Sequence, residues 1–194
     1  MAVGEELQRG ALRRGGGGAI HGDEINGVEI VRRVLKNSAL RHLRGTLVAV
    51  PIVNIFGFVQ RTRYLPDRRD LNRCFPGSES GSLGGRIAYL LRTQIMESVT
   101  HIIDLHTGAI HRFNLPQIRA ELKNPETSRM AEAFGAPIII NAGLREGSEG
   151  YWFVKDMSRR AEEAKKKGRS VPRRNYRFRK AQPEQPEQPE VLSD

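Results

Sequence analysis

Between Glu24 and Ile140 short apolar runs alternate with segments whose apolar residues recur at helical spacing, and this constrains the fold more than any other feature. Ile25, Val28, Val31, Val34 and Leu35 mark a first helix ending near Asn37, with Arg32, Arg33 and Lys36 in a basic last turn that suits the helix dipole. Residues 46–53 are apolar and β-branched almost throughout, the pattern of a strand covered on both faces. A second amphipathic helix is predicted over 83–99, with Ile87, Leu90, Leu91, Ile95 and Val99 on one side. Buried strands follow over 101–105, 115–122 and 137–140, and a third helix over 125–134 opens on a proline. The prediction is an α/β layered domain with a largely parallel sheet.

Both ends read differently. Residues 1–18 finish in four glycines and are expected to form a flexible arm, with order starting near Ala19. After Gly143 the rhythm stops. The net charge of +10 is concentrated in residues 155–180, where twelve Lys or Arg face three acids. A run this dense in like charges is expected to be a solvated, disordered tail over 148–194. Tyr176 and Phe178 among the arginines leave a lesser alternative, a grip on nucleic acid or another polyanion. The closing QPEQPEQPE favours an extended spacer. The longest apolar run, 47–53, is far short of the roughly 18 residues a spanning helix needs, so no membrane partner is expected. No secretory signal is legible, and Cys74 is the single cysteine, which excludes an internal disulfide and points to a cytoplasmic setting.

Chemistry concentrates where strands should end. His21 and Glu24 stand three apart at an expected strand-to-helix turn, and imidazole nitrogen and carboxylate oxygen both bind zinc at about 2.0–2.2 Å. Alone the pair is weak, since such a histidine can equally satisfy local backbone groups. His106 sharpens it, because it follows the buried run 102–105, and sites in open α/β sheets lie at the carboxyl ends of strands. Three ligands with an open fourth position define a catalytic zinc. Asp104 either orients His106 or accepts local backbone hydrogen bonds. His42 reads as a surface residue, and His101 and His111 as non-ligands. The long polar connection 54–82 carries Arg61, Arg63, Arg68, Arg69 and Arg73. Asn72 beside Arg73 forms a plausible clamp for an acidic substrate, because guanidinium forks hold carboxylates bidentately.

HGDEING at 21–27, RDLNRCFPG at 69–77 and IIDLHTG at 102–108 resemble the succinylglutamate desuccinylase/aspartoacylase family, zinc-dependent amidohydrolases related in fold to the zinc carboxypeptidases. The likeness covers roughly 19–147, including NLPQIRAEL at 114–122. It implies a partial three-layer α/β/α zinc-carboxypeptidase-like domain over 19–147. It further implies that His21, Glu24 and His106 bind one Zn2+ per chain, and that Asn72 and Arg73 hold the carboxylate of a small acidic N-acyl amino acid-like substrate. Arg63 would steady the carbonyl oxygen during attack. The expected reaction is hydrolysis of an amide, or an ester, by zinc-activated water.

Two departures stand beside the likeness. The strand that should lead into His21 is replaced by glycines, which central strands seldom tolerate. A general-base glutamate should follow a later buried strand. Glu146, Glu149, Glu162 and Glu163 are near, but none follows such a run, so no base is assigned. The expectation is a truncated member with an incomplete sheet. Its activity is in doubt, because losing the base commonly costs on the order of 10²–10⁴ in rate. The alternative function is an inactive fragment whose basic tail binds a polyanion.

Overall fold

A computed structural model describes residues 13–108, 112–143 and 145–167. Its central element is β1 (Arg13–Gly18), which pairs in parallel with β2 (Thr46–Val50) on one side and β3 (His101–Leu105) on the other. A second parallel pair joins β4 (Gln117–Ala120) to β5 (Ile138–Asn141). The intervening helices are α1 (Asn26–Lys36), α2 (Ile55–Gln60), α3 (Leu83–Gln94), α4 (Pro125–Phe134) and α5 (Glu149–Lys166). The layered α/β fold with parallel sheets is therefore present, and α4 has the bounds expected from its proline start.

The flexible arm expected over 1–18 is corrected over residues 13–18 by β1, in which Gly15–Gly18 run through the middle of the three-stranded sheet, while residues 1–12 lie outside the described residues. Two ladders satisfy the backbone of this strand, and neighbouring side chains fill the space that its own lack. Val99 and Ile102 lie against Gly15, and Val53 against Gly17. At Gly18 a methyl group would come within 2.9 Å of the Gly27 carbonyl carbon and 3.0 Å of Pro51 O, so glycine is what lets α1 approach the sheet.

The start of the expected disordered tail is corrected as well. Residues 149–166 form α5, capped by the Ser148 hydroxyl, which accepts from the Tyr151 N–H at 3.3 Å. Phe153 is buried in the core with Ile20, Leu65, Leu71, Phe75, Ala88, Met96 and Val99, and Trp152 and Met157 pack against it. Buried Asp156 pairs with Arg159 and Arg160, and Arg160 donates to Glu97 O at 2.7 Å. An apolar stripe thus anchors a helix whose other face carries the charge. Residues 168–194, with Tyr176 and Phe178, and His111 lie outside the described residues. Among the described residues no helix is long and apolar enough to cross a membrane.

The expected connection 54–82 contains α2, because the strand before it stops at Val50 and Asn54 caps a helix by accepting from the Gly57 N–H at 2.8 Å.

Candidate metal centre

The register of the sheet places the two histidines. Gly18 of β1 pairs with Leu105 of β3, so the chain leaves both strands at the same edge, and His106 follows at once. On the neighbouring strand Ala19 turns at φ 52°, the left-handed region that alanine rarely takes, and leads through buried Ile20 to His21. The Glu24 N–H then donates to His21 O at 3.1 Å, closing a turn just before α1. Glu24 and His21 are each 3% exposed, while the His106 side chain is 35% exposed, so the cluster opens on the His106 side.

One carboxylate receives both rings. Glu24 Oε1 lies 2.7 Å from His21 Nδ1, and Oε2 lies 2.8 Å from His106 Nδ1. The Thr107 N–H also donates to Oε2, at 3.0 Å. Each outer ring nitrogen meets a different acid: His21 Nε2 is 3.1 Å from Asp70 Oδ1, and His106 Nε2 is 2.7 Å from Asp104 Oδ2. In the metal-free site each ring donates through Nδ1 to Glu24 and through Nε2 to its outer acid, so loss of the Nδ1 proton leaves the Nε2–H tautomer, held by Asp70 or Asp104, with its Nδ1 lone pair open to a cation. Metal-binding histidines are oriented in this way. One donor atom from each of His21, Glu24 and His106 lies within 4.8 Å of the others, so the three fit one metal ion.

The electrostatics match a site that exchanges protons for a cation. Burial pushes the Glu24 carboxyl up, but hydrogen bonds from His106 and His21 outweigh it and bring the pKa down to about 2. Burial pulls His106 down, yet Asp104 and Glu24 together raise it to about 10. His21 is raised against its own burial by Asp70 and Glu24. Asp70 lies below the usual carboxylate range, because His21 and Arg63 overcome its desolvation.

Of the residues singled out in the sequence, the structure brings His21, Glu24, His106, Arg63 and Asn72 together. The Arg63 guanidinium donates to Asp70 Oδ2 at 2.9 Å through Nη2 and reaches Glu24 Oε1 at 3.4 Å through Nη1. The Asn72 amide nitrogen lies 3.5 Å from His106 Nε2. Arg73 is exposed, and its Nη1 donates to Asn72 O at 2.5 Å. His42 is exposed, and His101 Nε2 meets Glu126 at 2.8 Å.

Two residues near the cluster escaped the sequence reading. Asp70 belongs to the RDLNR string, and the signal was an acid two residues before Asn72, whose N–H it receives at 2.9 Å. Glu149 was set aside for want of a preceding strand, but a helix start brings it here instead. Its half-buried carboxyl is pushed up to about 8 by burial and by the like charge of Asp104, with His106 opposing.

Known proteins place the chain. The succinylglutamate desuccinylase/aspartoacylase catalytic domain matches residues 17–170. A curated relative, N-alpha-acetyl-L-2,4-diaminobutyric acid deacetylase of Halomonas elongata, is 30% identical over 129 residues, 63% of this chain and 38% of that protein. The crystal structure of a succinylglutamate desuccinylase/aspartoacylase from Rhodobacter sphaeroides superposes with TM-score 0.58 at 29% identity, over 66% of this chain and 42% of the other. An aspartoacylase family protein from Mesorhizobium loti gives TM-score 0.65 at 25% identity, over 78% and 49%. The chain thus spans less than half the length of these relatives. With the matched domain reaching from the end of β1 into the residues beyond α5, and the His/Glu/His cluster seated at its strand ends, the chain belongs to the succinylglutamate desuccinylase/aspartoacylase catalytic-domain family.

Proposed function

We propose that this chain holds one zinc ion through His21, Glu24 and His106 and hydrolyses the amide bond of a small N-acyl amino acid. The observation that carries the reading is the convergence of two Nδ1 atoms on Glu24, each ring held from behind by its own acid. Bound zinc would polarise the acyl carbonyl and lower the pKa of a water. Arg63, tethered by Asp70 beside Glu24, is placed to hydrogen-bond the oxygen that gains negative charge as the carbonyl is attacked. Asn72 and exposed Arg73 are the groups to hold the substrate's carboxylate, the arginine by a charge-assisted fork once it swings from Asn72 O. The relative's acetylated diaminobutyrate supports an N-acetyl amino acid as the substrate class. A cytoplasmic setting belongs to the same reading and is supported by the single free thiol of Cys74.

The test is release of free amine from N-alpha-acetyl-L-2,4-diaminobutyrate and from succinylglutamate by the zinc-loaded chain. We expect turnover that stops on chelation and falls about 10²–10³-fold in Arg63→Ala, the usual loss for one oxyanion donor. No amine release, or release indifferent to the chelator, would contradict the reading. Asp104→Ala is expected to weaken zinc retention about 10–100-fold, measured by competition with a chromophoric chelator, because His106 loses the partner that fixes its ring.

A further inference from the structure

We propose that Asn54, which makes no hydrogen bond to any of the three ligands, is a positioning residue of the metal centre, holding both ends of the short segment that carries His21. The inference rests on the metal-site reading above and concerns how that site is kept in shape.

Strand β1 ends at Gly18, and His21 stands three residues beyond it. Over that distance the chain turns at Ala19, whose φ of 52° is costly for alanine and persists only where neighbours hold it. Asn54 supplies the hold. Its N–H donates to Ala19 O at 3.0 Å, directly after the Val53 N–H donates to Gly18 O at 3.0 Å, so the loop following β2 runs alongside the turn. On the far side of His21, Gly22 rests on the backbone of Gly57 and Phe58 with no room for a methyl group between them. Asn54 holds these two residues as well. Its Oδ1 accepts from the Gly57 N–H at 2.8 Å, and its carbonyl oxygen accepts from the Phe58 N–H at 2.9 Å. One residue, 0% exposed, thus ties Ala19 on one side of His21 and the seat of Gly22 on the other.

His106 is placed differently, by the sheet itself, because it follows Leu105 while that residue is still in register with Gly18. His21 has to meet Glu24 Oε1 at 2.7 Å and Asp70 Oδ1 at 3.1 Å from a turn that lies beyond the strand. Loosening the Asn54 tether therefore moves the His21 ring relative to the other two donors. The work of the side chain falls on Oδ1, since Nδ2 meets no acceptor among the described residues. A serine hydroxyl can take over that bond, because serine ranks with asparagine as a helix cap.

The experiment loads the full chain with zinc or with cobalt(II), whose visible bands report the arrangement of its ligands, and compares wild type with Asn54→Ala, Asn54→Ser and Asn54→Gly. We expect Asn54→Ala to keep the helical dichroism of wild type, to bind zinc about 10–100-fold more weakly in competition with a chromophoric chelator, and to shift the cobalt bands. Asn54→Ser is expected to recover both. Glycine is accepted at a cap position at little cost but offers no oxygen, so if Asn54→Ala fails to fold, Asn54→Gly decides, with the same weakening and shift expected. Wild-type affinity and cobalt bands in the folded alanine or glycine variant would overturn the proposal whatever the loss of stability, since a residue that serves only the fold leaves the metal geometry alone. Asn54→Ser as weak as Asn54→Ala would overturn it too. Wild type that binds neither metal sinks the metal-site reading itself, whereas wild type that binds both, with variants indistinguishable from it, sinks only the role of Asn54.

Discussion

Glu24→Ala is expected to leave the protein unable to retain zinc and to destabilise the metal-free fold by on the order of 3–5 kcal/mol, the usual cost of removing one partner from a buried charged set. The residue is 3% exposed and hydrogen-bonds both histidines, His21 on its Oε1 and His106 on its Oε2. Without it two imidazoles raised toward the charged form lose their shared counter-charge, and Arg63 and the Thr107 N–H each lose an acceptor. The pH dependence follows from the sign of the shift. Glu24 titrates near about 2 in the folded chain against an ordinary value of 4.5, so the folded state binds its proton less readily than the unfolded one. The stability it contributes is fully present above pH 4.5 and is lost as the pH falls toward 2. Urea unfolding of metal-free protein across that window is expected to show this fall in wild type and a flatter profile in Glu24→Ala. Equal slopes would contradict the assignment.

Gly22→Ala is expected to cost more than about 3 kcal/mol and to empty the metal centre with the fold otherwise recognisable, or to prevent folding outright. An added methyl would sit 1.8 Å from the Gly57 carbonyl carbon and 2.2 Å from the Phe58 nitrogen. These are backbone atoms in the middle of α2, so no side chain can swing aside. Ordinary overpacking costs about 1–3 kcal/mol, and a clash with fixed backbone exceeds it. The loop that would have to yield carries His21, so the same displacement moves a ligand. Gly16→Ala is the matched control. Its methyl would meet nothing closer than 3.8 Å, and an extended alanine loses less conformational freedom than glycine, so stability is expected to stay level or rise by up to about 1 kcal/mol. Thermal or chemical unfolding of the pair checks both. A Gly22→Ala protein as stable as wild type would show that the loop does not pack on α2 in this way.

The contrast between these two glycines explains what the sequence could and could not reveal. Helices α1 and α3 were legible because a periodic apolar stripe is a local signal, α4 because a proline marks its first turn, and β2 and β3 because their apolar β-branched runs are local too. Strand β1 was not legible, since it is held by two backbone ladders and by side chains that belong to Val53, Val99 and Ile102. Nothing in RRGGGG says that strands 33 and 87 residues further on will pair with it. Helix α5 was hidden for the opposite reason, because a dense run of charge masked Phe153 and Met157, which stand one helical turn apart on the buried face.

The site divides along the same line. His21, Glu24 and His106 could be picked out because metal-binding residue types at strand ends are a chemical signal. Asp104 was recognised as one of two alternatives, and its 2.7 Å contact with His106 Nε2 selects the orienting role. Asp70 was read only as part of a polar string, because its partner His21 lies 49 residues away and no spacing announces that contact. Glu149 requires the tertiary fold altogether, since tertiary bonds, from its own N–H to Asn72 and from the Phe75 N–H to Gly147 O, fasten the start of α5 to the loop that presents Asn72.

X-ray absorption at the zinc edge, on protein purified with its metal and quantified for zinc per chain, tests the central claim most directly. The account predicts one zinc per chain with two imidazole nitrogens and carboxylate oxygen at about 2.0–2.2 Å, and no such zinc in His21→Ala or His106→Ala. Zinc retained equally by wild type and both variants, or a first shell without imidazole, would contradict it.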